Sequence, residues 1–85
     1  MKPAIELILE WSNTETERYG IHTVRYNKST PTAARRAAQK VIAEWGACPS
    51  IIVDAARLER VADEVVLARW DNGSWDYVDK TTETN

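Results

Sequence analysis

TPTAARRAAQKVIAEWG, residues Thr30–Gly46, carries the start, the stop and both faces of one helix. Thr30 stands where a side-chain oxygen can cap the first free N–H groups, and Pro31 takes the first helical position, where its missing N–H costs nothing. Gly46 follows the last periodic residue, Trp45, and is expected to close the helix in the left-handed conformation, with Pro49 preventing resumption. At about 100° per residue, Ala34, Ala37, Ala38, Val41, Ile42 and Trp45 share one arc, and Arg35, Arg36, Gln39, Lys40, Ala43 and Glu44 fill the other. The apolar arc is alanine first and branched or aromatic later, so its early turns can approach a sheet closely while Val41, Ile42 and Trp45 fill a wider gap. The outward arc is a basic stripe of Arg35, Arg36 and Lys40. It reads either as a solvated face with a Lys40–Glu44 pair or as a contact surface for phosphates or a partner's carboxylates.

Upstream of this helix, Ile5, Leu7, Leu9 and Trp11 alternate with Glu6, Ile8 and Glu10, the period of two of a strand with one apolar side turned to the helix. Ser12–Arg18 is polar throughout and is expected to be a solvated connection. Tyr19–Tyr26 returns as a second strand, with His22, Val24 and Tyr26 favoured over Ile21, Thr23 and Arg25 as the inward set. His22 is the only histidine and has no ligand motif around it, so neither catalysis nor metal binding is expected there.

Downstream, Ser50–Val53 is a short β-branched run. Residues 54–64 admit two readings. Ile51, Ala55, Leu58, Ala62 and Val65 fall at helical spacing, which would make a second short helix. The turn-like Ala62-Asp63-Glu64 before VVLARW instead favours a continued strand. Val65–Trp70 and Ser74–Val78 then flank Asn72-Gly73, a hairpin turn that places Asp71 opposite Ser74, Trp70 opposite Trp75, Arg69 opposite Asp76, Ala68 opposite Tyr77 and Leu67 opposite Val78. Alternation puts Trp70, Trp75, Tyr77, Ala68 and Val66 on one side and Leu67, Val78, Val65 and the Arg69/Asp76 pair on the other. If Leu67 and Val78 turn inward, Trp70, Trp75 and Tyr77 form an exposed aromatic patch suited to a partner or to stacked bases. If the aromatics turn inward, they are core. The pattern leaves both open.

The fold expected is therefore α+β: a single helix packed on an antiparallel sheet of four to five strands in β-β-α-β-β-β order. Eighty-five residues are too few for two self-sufficient cores, so residues 1–80 should form one domain and 81–85 a polar tail. The 44% hydrophobic and 28% charged fractions exclude wholesale disorder, and the longest apolar runs are too short for a membrane span. The single cysteine, Cys48, rules out an intrachain disulfide and a cysteine zinc cluster and fits a reducing cytoplasm. A net charge of −2 argues against a dedicated nucleic-acid binder. With no glycine-rich phosphate loop, no partnered histidine and no metal-ligand spacing, the expectation is a non-enzymatic protein with no cofactor that binds a macromolecule. The residues expected to meet a partner are Arg35, Arg36, Lys40, Trp70, Trp75 and Tyr77.

MKPAIELILE, the capped helix with Thr30, Ala34, Arg35, Arg36, Ala38 and Lys40, and the closing LARWDNGSWDYVD together resemble small phage-encoded anti-CRISPR proteins acting on type I surveillance complexes, in particular the ninth-numbered inhibitor family of subtype I-F. That resemblance implies an inhibitor, in the cytoplasm of a bacterial host, that sits on the Cas backbone subunit where target DNA would run. Its basic helix residues, here Arg35, Arg36 and Lys40, would touch DNA. The longer Ala47–Glu64 segment and the extra tryptophans depart from that family's pattern. The alternative is a small nucleic-acid-binding accessory domain using the basic stripe and Trp70 or Trp75. A third possibility is that the aromatic face is a homodimer interface, so the protein is expected to be a monomer or a homodimer.

Overall fold

The computed structural model describes residues 4–28, 30–71 and 73–77. They form β1 (Ile5–Asn13), β2 (Arg18–Tyr26), α1 (Pro31–Gly46), β3 (Ile51–Arg60), β4 (Val66–Asp71) and β5 (Ser74–Tyr77). The strands make one sheet in the order β2-β1-β3-β4-β5, every neighbouring pair antiparallel. This is the α+β architecture that the alternation and the capped helix imply. The strand reading of residues 54–60 holds, and the only helix among the described residues is α1.

The helix passes from the edge strand β2 across β1 to β3, and lies over β1 and β3. Thr30 is its N-cap, with Oγ1 accepting from the Ala33 N–H at 3.2 Å, a contact of a kind that contributes about 1 kcal/mol. Its C-terminal end departs from expectation. Gly46 stays in the helix, and Ala47, at φ −72° and ψ −20°, is the cap. The Ala47 N–H donates to the Ala43 carbonyl at 3.0 Å, and the chain then turns through the Ile51 N–H on the Cys48 carbonyl, also 3.0 Å. A turn around Pro49 and Ser50 does the work assigned to a left-handed glycine.

Leu7, Leu9 and Leu58 are fully buried under Ala34, Ala38 and Ile42, with Ile5, Ala56, Leu67 and Ala68 completing the cluster. Small helical side chains let the backbone approach the sheet, so the larger leucines come from the strands. The 12–18 connection is shorter than expected, because the strands run to Asn13 and Arg18 and leave a turn of Thr14–Glu17. Asn13 Oδ1 holds that turn by accepting from the N–H groups of Glu15 and Thr16 at 2.9 and 3.0 Å.

Two irregularities reset the faces of the sheet. Along β1 and β3, Glu10 pairs with Ala55 and Trp11 with Val53, leaving Asp54 as an extra residue. Along β3 and β4, Leu58 pairs with Ala68 but Glu59 with Val66, leaving Leu67 as the extra residue. At a bulge two consecutive residues oppose one, and strict alternation fails. Leu67 and Ala68 therefore both join the core, whereas Val66 falls opposite Glu59. This corrects the assignment of Leu67 and Val66 by simple parity. The β4–β5 register itself is the expected one at every described pair, and Gly73 adopts φ +91°. Asn72, Val78 and the 81–85 tail lie outside the described residues.

Tyr26, at the end of β2, is half-buried and its hydroxyl oxygen has no partner. Burial, and secondarily the charge of Glu44, push its pKa above the usual phenol value. Both effects disfavour the anion. A group whose folded pKa is raised leaves stability intact below its unfolded value and removes it as pH climbs above roughly 10. Tyr26→Phe is expected to flatten the alkaline limb of urea-midpoint measurements between about pH 9 and 11. Superimposable limbs for the two proteins would contradict this assignment.

Candidate basic contact surface

Arg36 and Lys40 are four residues apart and so stand one above the other on the exposed side of α1. Ala33 and Ala37 occupy the neighbouring ridge, and their small side chains leave a shallow cleft of about 330 Å³. Lys28, arriving from the segment after β2, closes its other side, so three cations line one depression. Arg35 is half-buried and belongs by helical spacing to the Gln39 flank rather than to this cleft. The structure thus brings Arg36 and Lys40 together, sets Arg35 aside, and adds Lys28. Sequence reading had no means to place Lys28, because it reaches the helix only through the path of the loop.

None of these three cations has a carboxylate partner among the described residues. Among the described residues the ion pairs run Arg25–Glu6 at 3.9 Å, Arg57–Glu10 at 3.3 Å, Arg57–Glu59 at 2.6 Å and Arg60–Asp63 at 2.9 Å, all on strands or in the turn after β3. The Lys40–Glu44 pair considered from helical spacing does not form. Arg60 grips Asp63 through two contacts of 2.9 Å, and these hold the Asp63 carboxyl below its ordinary pKa. None of the four ion pairs involves a residue of α1.

Trp70, Trp75 and Tyr77 are half-buried and pack against the core from the helix side of the sheet. The Trp75 indole N–H donates to Gln39 Oε1 at 2.9 Å, tying β5 to α1. The Trp70 indole nitrogen is buried and has no hydrogen-bond partner. Of the two orientations the alternation left open, the hairpin adopts the one in which the aromatics are packing residues, so they form no exposed stacking platform. The apolar exposure lies elsewhere, on the side of the sheet that no helix covers: Tyr19 is 85%, Ile21 64% and Ile52 50% exposed.

A larger hollow of about 550 Å³ is lined by Glu10, Trp11, Tyr19, Gly20, Ile21 and Asp54. It combines two carboxylates with apolar and aromatic walls. His22 packs on Trp45, ring centroids 4.9 Å apart. Cys48 is exposed, with Sγ 3.4 Å from the Ser50 hydroxyl, whose hydrogen bond is the main cause of a lowered thiol pKa. No group of three metal-ligating side chains exists among the described residues. Nor, among them, is any helix long and apolar enough to cross a membrane.

Among the described residues, the fold and this surface define a small α+β domain with one helix on a five-stranded antiparallel sheet and a basic helix face without carboxylate partners. No family model, curated protein or solved structure matches the chain.

Proposed function

We propose that the protein is a non-enzymatic inhibitor that works by occupying a partner's surface, in the manner of the type I anti-CRISPR proteins it resembles. Its helix face meets a Cas subunit of a surveillance complex in the host cytoplasm and competes there with target DNA. The observation that supports this reading is the cleft of Lys28, Arg36 and Lys40, whose charges have no carboxylate partner among the described residues. Acidic side chains on the partner's surface, or the phosphates of nucleic acid already bound there, supply the missing anions.

The same cations also suit direct contact with nucleic-acid phosphates. With the tryptophans turned inward, that second reading rests on charge alone, and binding would fall steeply with salt, with a log–log slope of about −2 to −3 for three contacts.

Capture with tagged protein from lysates expressing type I complexes, washed at moderate salt and treated with nuclease, separates the two. Recovery of a Cas subunit is expected. Replacing Lys28, Arg36 and Lys40 together by glutamate should weaken it on the order of 100-fold, while circular dichroism stays unchanged. Nucleic acid recovered alone would favour the second reading. No co-elution and unchanged target-DNA binding across the type I subtypes would remove the Cas assignment.

A further inference from the structure

The outer edge of β2 is a long row of backbone groups that no described residue pairs with. The strand runs nine residues, Arg18–Tyr26, in unbroken register with β1 and ends the sheet. Edges are usually blunted by a bulge, a proline, charged side chains (lysine above all) or a covering element. RYGIHTVRY has no proline or lysine, its two charges, Arg18 and Arg25, stand at or next to its ends, its pairing with β1 carries no bulge, and the helix lies over β1 and β3. The opposite edge, β5, is four residues long and contains Asp76. The most exposed apolar side chains of the described residues, Tyr19 and Ile21, both stand on β2.

The geometry points to β2 as a homodimer edge, pairing antiparallel with β2 of a second copy to make one continuous ten-stranded sheet. A two-fold axis between antiparallel edges must be perpendicular to the sheet, which keeps both helices on the same side. Directly opposed residues then share a face, so the two strand numbers at each pair add to an even total. Centring the axis on Ile21 is the register that β2 itself favours. Ile21 meets the partner's Ile21, Tyr19 meets the partner's Thr23, and at each end Glu17 comes beside the partner's Arg25. Apolar side chains gather at the centre, opposite charges meet at the rim, and no like charges face each other. This self-complementarity selects a second copy over an unrelated strand. The proposal rests on the strand edge and not on the basic cleft.

Sedimentation velocity over a concentration series up to about 1 mM, where even an association of roughly 4 kcal/mol is half complete, tests the pairing. Reversible dimerisation is expected. Ile21→Lys, at an exposed position, sets two ammonium groups face to face and should weaken it about tenfold or more without altering the melting curve. Arg25→Glu alone should weaken association, and adding Glu17→Arg in the same chain should restore it. Register is read independently in a Cys48→Ser background. Ile21→Cys should form an intermolecular disulfide on mild oxidation, since opposed antiparallel residues sit about 4.5 to 5.5 Å apart, whereas Thr23→Cys should not. A monomer throughout the series, or a dimer indifferent to Ile21→Lys, overturns the proposal. A disulfide through Thr23→Cys but not Ile21→Cys overturns the register.

Discussion

Leu58→Ala is expected to cost about 3 to 5 kcal/mol, the upper part of the range for a buried leucine. Leu58 is fully buried at the centre of the sheet, between Leu7 of β1 and Ala68 of β4 in register. The helix contributes Ala34 and Ala38 to the same cluster. Two features put this site at the costly end. Its alanine neighbours have no rotamers with which to fill the space, and strands paired on both sides cannot close in without breaking their ladders. The cavity would stay open, and the penalty for residual volume adds to the lost transfer energy. A domain of this size has a total stability of about 5 to 10 kcal/mol, so the variant should keep only a fraction of it. Its melting temperature should fall by roughly 15 °C or more. Urea denaturation checks this, with Ile52→Ala as control. Ile52 lies on the same strand, is half-exposed, and should change stability by no more than about 0.5 to 1 kcal/mol. Equal midpoints for the two variants would mean that Leu58 is not the keystone of the core.

How far the sequence anticipates this core depends on whether a signal is local. Thr30, Pro31 and the alanine-to-tryptophan gradient of α1 act within a few residues, and they place the helix and its buried face correctly. The same holds for the period of two in β1 and for the hairpin register. The bulges are not local. Nothing in DAARLER or VLARW announces that Asp54 or Leu67 is an extra residue, because a bulge is a property of two strands aligned together. Counting back from the hairpin, a single unseen insertion reverses the face assignment of the residues beyond it, which is why Val66 and Leu67 are misread while Trp70 and Ala68 are not. The candidate surface divides in the same way. Arg36 and Lys40 are neighbours by helical spacing and are legible, Lys28 joins them only through tertiary structure, and the inward turn of the tryptophans follows from which side of the sheet the helix covers.

Gly20 shows such a non-local requirement in its sharpest form. It lies opposite Trp11, and a Cβ built on it would come within 2.9 Å of Trp11 Cζ2 and 3.2 Å of Cε2. The indole lies across the glycine and also packs against Trp45, centroids 5.5 Å apart, which in turn meets His22. On propensity alone Gly20→Val should strengthen β2, by up to about 1 kcal/mol. Displacing an indole wedged against the helix costs about 1 to 3 kcal/mol, so overpacking wins and the variant should be net destabilised. The sign should reverse once the indole is removed. In a Trp11→Ala background the valine meets open space and contributes its strand preference, so Gly20→Val becomes neutral or stabilising. A double-mutant cycle in urea should therefore return a coupling of about 1 to 3 kcal/mol between positions 11 and 20, where independent sites would add to within roughly 0.5 kcal/mol. Additivity would place the Trp11 ring elsewhere. Coupling of the expected sign would show that the glycine serves as a seat for the tryptophan that ties the β1–β2 hairpin to the C-terminal end of the helix.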